Sequence, residues 1–196
     1  MREENIEWIL KNTDNGIITS KAVTQQGIHR SVLSEMVKNG SLIRCSRGIY
    51  MLADEWEDEF FLLQQKYKRG IFSHATALYL LGYSERVPLK FNMTFPTKYN
   101  SASLKDENVI VTRVNDNNYE LGITTAETPS GNKVQIYDLE RSLCDILRGS
   151  IEDIQTIQYA MKKYAASKQR DINKLMRYAK QLRVEAKIRK YMEVLL

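Results

Sequence analysis

Arg44 and Arg47 flank and occupy the tight turn Ser46-Arg47-Gly48 inside the stretch NGSLIRCSRGIYMLADE, Asn39–Glu55. A guanidinium is planar, permanently charged and forked, which suits it to phosphate oxygens, and glycine allows the backbone to reverse sharply beside it. Just upstream, Arg30, Ser31, Ser34 and Lys38 share one face of HRSVLSEMVKNG, and Ser20 and Lys21 open the segment before it. Such donors on a short helix are the groups that reach base edges and backbone phosphates. A second set, Lys174, Arg177, Lys180 and Arg183, recurs at three-residue steps and forms one ridge if the segment is helical. The chemistry in both places is recognition of an acidic surface, not bond-making.

Bond-making motifs are not found. There is no Gly-rich phosphate loop after a strand and no Asp-x-Asp pair for magnesium, and the two histidines, His29 and His74, cannot supply a metal triad. The expectation is a protein that is not an enzyme, with no metal and no cofactor. His29 stands where an N-cap would help a helix, although imidazole caps weakly, so a locally bonded or solvent-exposed side chain is expected. For His74 a packing or capping role is expected.

The elements that must position these groups follow from periodicity. Ile6, Ile9 and Leu10 mark a first helix that Asp14-Asn15-Gly16 breaks. Thr19 or Ser20 caps a short second helix ending at Gln26-Gly27. Val32, Leu33, Met36 and Val37 give a third its apolar stripe, with Gly40 past its end. Two helices joined by a Gly-containing turn form a helix-turn-helix, and the hairpin behind them reads as a wing with Arg44 and Arg47 at its tip. A plain packing unit of three helices and a hairpin is the alternative on these residues alone.

Beyond the wing, EWEDEFFLLQQKYKRG reads as a connector helix with Phe60, Phe61 and Leu63 inward, and SHATALYLLGYSERVP as a helix from Ser73 to Gly82. Phe91, Met93 and Phe95 alternate up to Pro96. NVIVTRV and two runs around Ser130-Gly131-Asn132 complete a small sheet. YDLERSLCDILRG is an amphipathic helix capped by Asp138. From Ser150, whose spacing to Asp153 is that of a capping box, the tail is helical by period, with Ile151, Ile154, Ile157 and Met161 on its first apolar face. The fold class is therefore α+β: a winged helix-turn-helix over residues 1–52, then residues 53–196 with a mixed α/β lobe (53–149) and a basic helical lobe (150–196).

Charge divides the chain the same way. The net +5 is the sum of +2 over residues 1–52, −5 over 53–154 and +8 over 155–196, two basic ends around an acidic middle. That asymmetry suits contact with nucleic acid or another acidic surface, and a solvated helix face remains the plain alternative for the tail. Cys45 and Cys144 match no disulfide or ligand framework and read as free thiols. The acidic start MREENIEWIL lacks the apolar core of a signal peptide, and no apolar run is long enough for a membrane span, so the expected place is the cytoplasm.

Three stretches, GSLIRCSRGIYML, FSHATALYLLGYSERVP and IYDLERSLCDILRG, occur in the order found in AbiEi-type antitoxins of the AbiE abortive-infection (type IV toxin-antitoxin) systems. The resemblance spans nearly the whole chain. It implies an autorepressor whose winged helix binds operator inverted repeats and whose C-terminal antitoxin domain neutralises a nucleotidyltransferase-like toxin, directly or through the toxin's substrate. By position it assigns Arg30, Ser31, Ser34 and Lys38 to the recognition helix and Arg44 and Arg47 to the wing. His29, where Ser or Thr is expected, and Cys45, where an apolar residue is usual, depart from the pattern. A stand-alone winged-helix regulator with a ligand-sensing C-terminal domain, and an enzyme or nuclease, are the competing readings.

Overall fold

The computed structural model describes residues 2–100, 104, 108–149 and 153–195. The chain divides into two compact units, Met1–Lys68 and Arg69–Leu196.

In the first unit, α1 (Arg2–Lys11) starts with Glu3 and Glu4 and ends with Lys11, charges that favour a helix macrodipole. β1 (Ile17–Thr19) leads directly into α2 (Ser20–Gln25), whose N-cap Thr19 accepts from the Ala22 N–H at 3.2 Å. Gly27 takes the left-handed backbone, φ 82°, that turns the chain into α3 (Ser31–Lys38), and the Ile28 N–H donates to the Val23 carbonyl across that turn. β2 (Leu42–Ser46) and β3 (Ile49–Leu52) form the hairpin, and β1 adds to β3 to give the antiparallel order β1-β3-β2. Ile9, Ile18, Val23, Leu33, Met36 and Leu42 are buried together between helices and sheet. Their burial, at about 1.5–3 kcal/mol each, fixes the angle at which α3 presents its other face. α4 (Glu59–Lys66), capped by the Asp58 carboxylate accepting from the Phe61 N–H at 3.1 Å, closes the unit with Phe60, Phe61 and Leu63 buried.

The second unit is built on a mixed sheet in the order β6-β5-β4-β8-β7. Its strands are β4 (Ile71–Phe72), β5 (Phe91–Pro96), β6 (Val109–Val114), β7 (Ile123–Glu127) and β8 (Lys133–Tyr137). β5 pairs parallel with β6 and antiparallel with β4, β4 pairs parallel with β8, and β7 pairs antiparallel with β8. α5 (His74–Leu80) is tied to β5 by polar groups. The Asn92 N–H donates to Thr76 Oγ1 at 2.8 Å, and Thr94 Oγ1 donates to Ser73 Oγ at 2.9 Å. α6 (Asp116–Glu120) is a single short turn between β6 and β7.

α7 (Leu139–Arg148) is the hub of this unit, with every residue from Glu140 to Leu147 buried. Asp138 caps it by accepting from the Arg141 N–H at 2.9 Å. Arg141 is fully buried and held from three directions. Nε donates to Asp145 at 3.0 Å, Nη1 donates to the Leu121 and Asn118 carbonyls at the end of α6, and the guanidinium lies 4.1 Å over the Tyr137 ring. Nη2 finds no acceptor among the described residues. A buried cation is tolerated only with a close counter-charge and several acceptors of this kind. α8 (Ile154–Ala166), α9 (Ile172–Gln181) and α10 (Glu185–Leu195) pack on α7 through Leu143, Ile146, Leu147, Met161, Leu175, Ala179, Ile188 and Met192. Asp153 caps α8 by accepting from the Thr156 and Gln155 N–H groups, bonds that hold its carboxyl below the usual range.

The fold is α+β as expected: a winged helix-turn-helix, then a small sheet with a helical bundle. Ser150 and Ile151, part of the capping box and first apolar face expected for the tail, lie outside the described residues. Ile154, expected on that face, is exposed; Met161 is buried on it. Among the described residues no helix is long and apolar enough to cross a membrane.

Candidate nucleic-acid interface

The wing is built against the start of α2. The Ser20 N–H donates to the Gly48 carbonyl at 2.9 Å, and a Cβ on Gly48 would sit 2.7 Å from Ser20 Oγ. Gly48 also has φ 79°, so a side chain there would be strained by the backbone conformation and would force the Ser20 hydroxyl to move. The bond brings Ser20 and the exposed Lys21 next to the turn that carries Arg47.

Arg44 pairs across the hairpin with Tyr50 and Ser46 pairs with Ile49, so Cys45 is the extra residue of a β-bulge. The bulge explains why a polar residue is accommodated at a wing position that is usually apolar: Cys45 is half-buried and faces no cross-strand partner. Burial, reinforced by Glu57, raises its thiol pKa, which keeps it protonated. A bulge also sharpens the strand's twist and re-aims the chain beyond it, here the tip with Arg47. Arg44 and Arg47 are both exposed.

On α3 the inward face is Val32, Leu33 and Met36, and the outward face carries Ser31, Ser34 and Lys38, with Arg30 at the N-cap position; all four are exposed. Arg30 makes no capping bond. His29 supplies it instead, its Nδ1 accepting from the Ser31 N–H at 3.3 Å and lying 2.8 Å from Ser31 Oγ. The histidine is thus locally bonded, and Ser31 is oriented by it. Arg30, Ser31 and Ser34 cluster on the N-terminal half of α3, the half that enters a major groove in this motif, whereas Lys38 lies at the far end near Gly40.

The second basic set is not one uniform ridge. Arg177 and Lys180 are exposed on α9, and Arg183 lies just beyond its end. Arg183 has φ 61°, with its N–H donating to the Lys180 carbonyl and the Val184 N–H to the Ala179 carbonyl at 2.8 Å, a Schellman-type stop with arginine where glycine is usual. Lys174 faces α7 instead. Its ammonium bridges Asp138 and Glu140, 3.0 Å from each, while the Tyr178 hydroxyl donates to Asp138 at 3.2 Å. Burial lowers the Lys174 pKa, but the two carboxylates more than offset that and hold it above the ordinary lysine value. Nothing in the sequence signals this bridge, because its partners lie on a helix far away along the chain. His74, expected to pack, is buried at the start of α5 with Nδ1 2.9 Å from Ser73 Oγ.

A family model for the AbiEi antitoxin N-terminal domain, described as a transcriptional regulator, matches residues 2–89. No curated protein matches the chain. The crystal structure of the RV2827C protein from Mycobacterium tuberculosis resembles it with a TM-score of 0.52 at 15% identity, over 90% of this chain and 75% of that one. At that identity the likeness speaks for the fold, and it extends beyond the segment the family model covers. With a helix-turn-helix whose outward face and wing tip are basic, residues 2–89, somewhat under half of the chain, are similar to the AbiEi antitoxin N-terminal domain, a transcriptional-regulator family.

Proposed function

We propose that the protein represses its own operon by binding operator inverted repeats through residues 1–52, and that residues 53–196 neutralise a nucleotidyltransferase-like toxin. The observation that carries the first half is the juxtaposition, in a segment similar to a regulator domain, of an exposed α3 N-terminal half and a wing held against α2 with Arg44 and Arg47 outward. Arg30, Ser31 and Ser34 read bases, Lys38, Arg44 and Arg47 hold phosphates, and Ser20 and Lys21 anchor the backbone beside the wing. The second half is supported by the excess of bases after residue 154, of which Arg177, Lys180 and Arg183 face solvent.

Titration of labelled DNA from upstream of the gene, against random DNA of equal length, tests the DNA-binding half. Arg44→Ala and Arg47→Ala should each weaken both DNAs alike and lower the salt slope by about 1, whereas Arg30→Ala should narrow the gap between them. Loss confined to one DNA on changing a wing arginine contradicts the assignment. Growth rescue in cells expressing the product of the neighbouring reading frame tests the antitoxin half.

A further inference from the structure

Two side chains at the start of α3 are coupled through one nitrogen. His29 Nδ1 lies 3.3 Å from the Ser31 amide nitrogen, whose hydrogen points at it, and 2.8 Å from Ser31 Oγ. An amide N–H can only donate, so Nδ1 meets it with a lone pair and carries no proton; the imidazole is neutral, with its hydrogen on Nε2. Once Nδ1 is an acceptor, the contact with Oγ has one direction left: the Ser31 hydroxyl donates to the ring. Its single hydrogen is thereby committed inside the protein. What Ser31 offers outward is lone pairs only, from an exposed side chain on the first residue of α3. Ser34, one turn on along the same face, differs: its hydroxyl has no partner among the described residues and can turn either way.

We propose that Ser31 is an acceptor-only base reader, held so by His29, and that it selects an amino-bearing base edge, adenine or cytosine, at one position of the operator half-site. The inference rests on the DNA-binding reading and names what one residue of that surface recognises. In the major groove adenine N6 and cytosine N4 present hydrogens, whereas guanine O6 and N7 and thymine O4 present lone pairs. Every base pair carries one such amino group, so the choice is of strand: adenine or cytosine, not guanine or thymine, on the strand that Ser31 faces. A serine free to rotate meets either kind, which is why it ordinarily specifies little. Ser31 against guanine or thymine sets lone pair against lone pair, and turning its hydroxyl over to donate would take a partner from His29 Nδ1. His29 acts through Ser31 and is a positioning residue: the bond that caps the helix also fixes the serine proton. Arg30, which makes no capping bond, remains a donor, so the N-terminal half of α3 offers a donor and an acceptor side by side.

The test is selection of bound duplexes from a pool of DNA, taken from upstream of the gene and randomised position by position. It reads the base chosen at each position by the full chain and by Ser31→Ala, His29→Ala and His29→Asn, with circular dichroism as the folding control. The parent should show one position where adenine and cytosine are favoured over guanine and thymine on the order of tenfold, the size of an ordinary mismatch, and Ser31→Ala should bring the four bases there within about threefold. His29→Ala should do the same although Ser31 is intact, because the hydroxyl regains its hydrogen. His29→Asn, whose Oδ1 can accept from the amide two residues on, should restore the preference. A preference for guanine or thymine that depends on Ser31 overturns the proposal, as does a preference for adenine and cytosine that survives Ser31→Ala. One that is lost on Ser31→Ala yet survives His29→Ala refutes the fixed proton, and a folded His29→Asn that fails to restore it refutes the acceptor role of His29. A parent that enriches no sequence over the starting pool refutes sequence-specific DNA binding itself, whereas enrichment at positions that all ignore Ser31 refutes the reading of this residue alone.

Discussion

Replacing Lys174 by glutamine separates a structural base from the exposed ones around it. The substitution keeps most of the side chain's length and removes its charge, leaving Glu140, only 5% exposed, with the Tyr164 hydroxyl donating at 3.2 Å, and Asp138 with its cap bond and Tyr178. Two charge-assisted bonds of 3.0 Å are lost. Each is worth about 1.5–3 kcal/mol when shielded, and because the lysine side chain keeps 29% of its surface in solvent the pair is discounted to about 2–3 kcal/mol in total. For a chain of this size that is a fall in melting temperature of about 6–9 °C. Arg177→Gln and Lys180→Gln, which break no ion pair, should stay within about 0.5 kcal/mol of the parent. Lys174→Glu should be worse than Lys174→Gln, since it adds a third carboxylate to two. Because the folded-state pKa of Lys174 lies above the ordinary 10.5, its contribution is complete below that value and is lost only as pH rises through the folded-state pKa. Urea titrations of parent and Lys174→Gln should therefore differ by a constant amount across neutral pH and converge only in strong alkali. A Lys174→Gln protein that melts with the parent, or an Arg177→Gln protein that loses as much, would refute the bridge as a source of stability.

Arg141→Met should cost about 3–5 kcal/mol by stranding the Asp145 carboxylate in the core, and Arg141→Met with Asp145→Leu should recover most of it in a denaturant titration. Arg183→Gly should stabilise the chain by about 1 kcal/mol, read as a higher melting temperature, because it relieves a left-handed residue at the end of α9. For His74, burial lowers the pKa below 6.5, with Arg141 and Arg148 acting in the same direction and Asp145 against it. The unfolded chain therefore takes up the proton first, and stability drops as pH falls from 6.5 through the folded-state pKa; His74→Asn, which tolerates the φ of 50°, should remove that slope between pH 7.5 and 5.5 whatever it does to stability at neutral pH, read as urea midpoints that no longer fall with pH.

Elements with a strong period and a clear punctuation residue are legible in the sequence. α3 shows its stripe of Val32, Leu33 and Met36 and its stop at Gly40, the hairpin shows Gly48, and α7 shows its Asp138 cap. The features that escape are short or non-local. β1 and β4 have three and two residues, too few for alternation to register, and exist because β3, β5 and β8 pair with them. α6 is one turn held by the Arg141 guanidinium from a helix further along the chain. At the candidate interface the residue types and the helix face can be read directly, because an outward position on an amphipathic helix needs no knowledge of the rest. The Ser20–Gly48 contact and the Lys174 bridge cannot, since each joins segments whose proximity only the fold decides. Spacing alone groups Lys174 with Arg177 and Lys180; the acids on α7 draw it away from them.

The parallel pairing of β4 with β8 sets an order of events during synthesis. Phe72 registers against Ile136, so one edge of the central strand of the second sheet stays unpaired until Lys133–Tyr137 has left the ribosome, even after its other edge has paired with β5. The first sheet has no such wait, because β1, β2 and β3 are all available once Leu52 has emerged. Local pairings close early and distant ones late. A nascent chain can therefore complete its winged-helix fold while its second sheet still lacks β7 and β8, and a chain released after Leu52 has emerged but before Tyr137 is made carries the first sheet intact and the second incomplete.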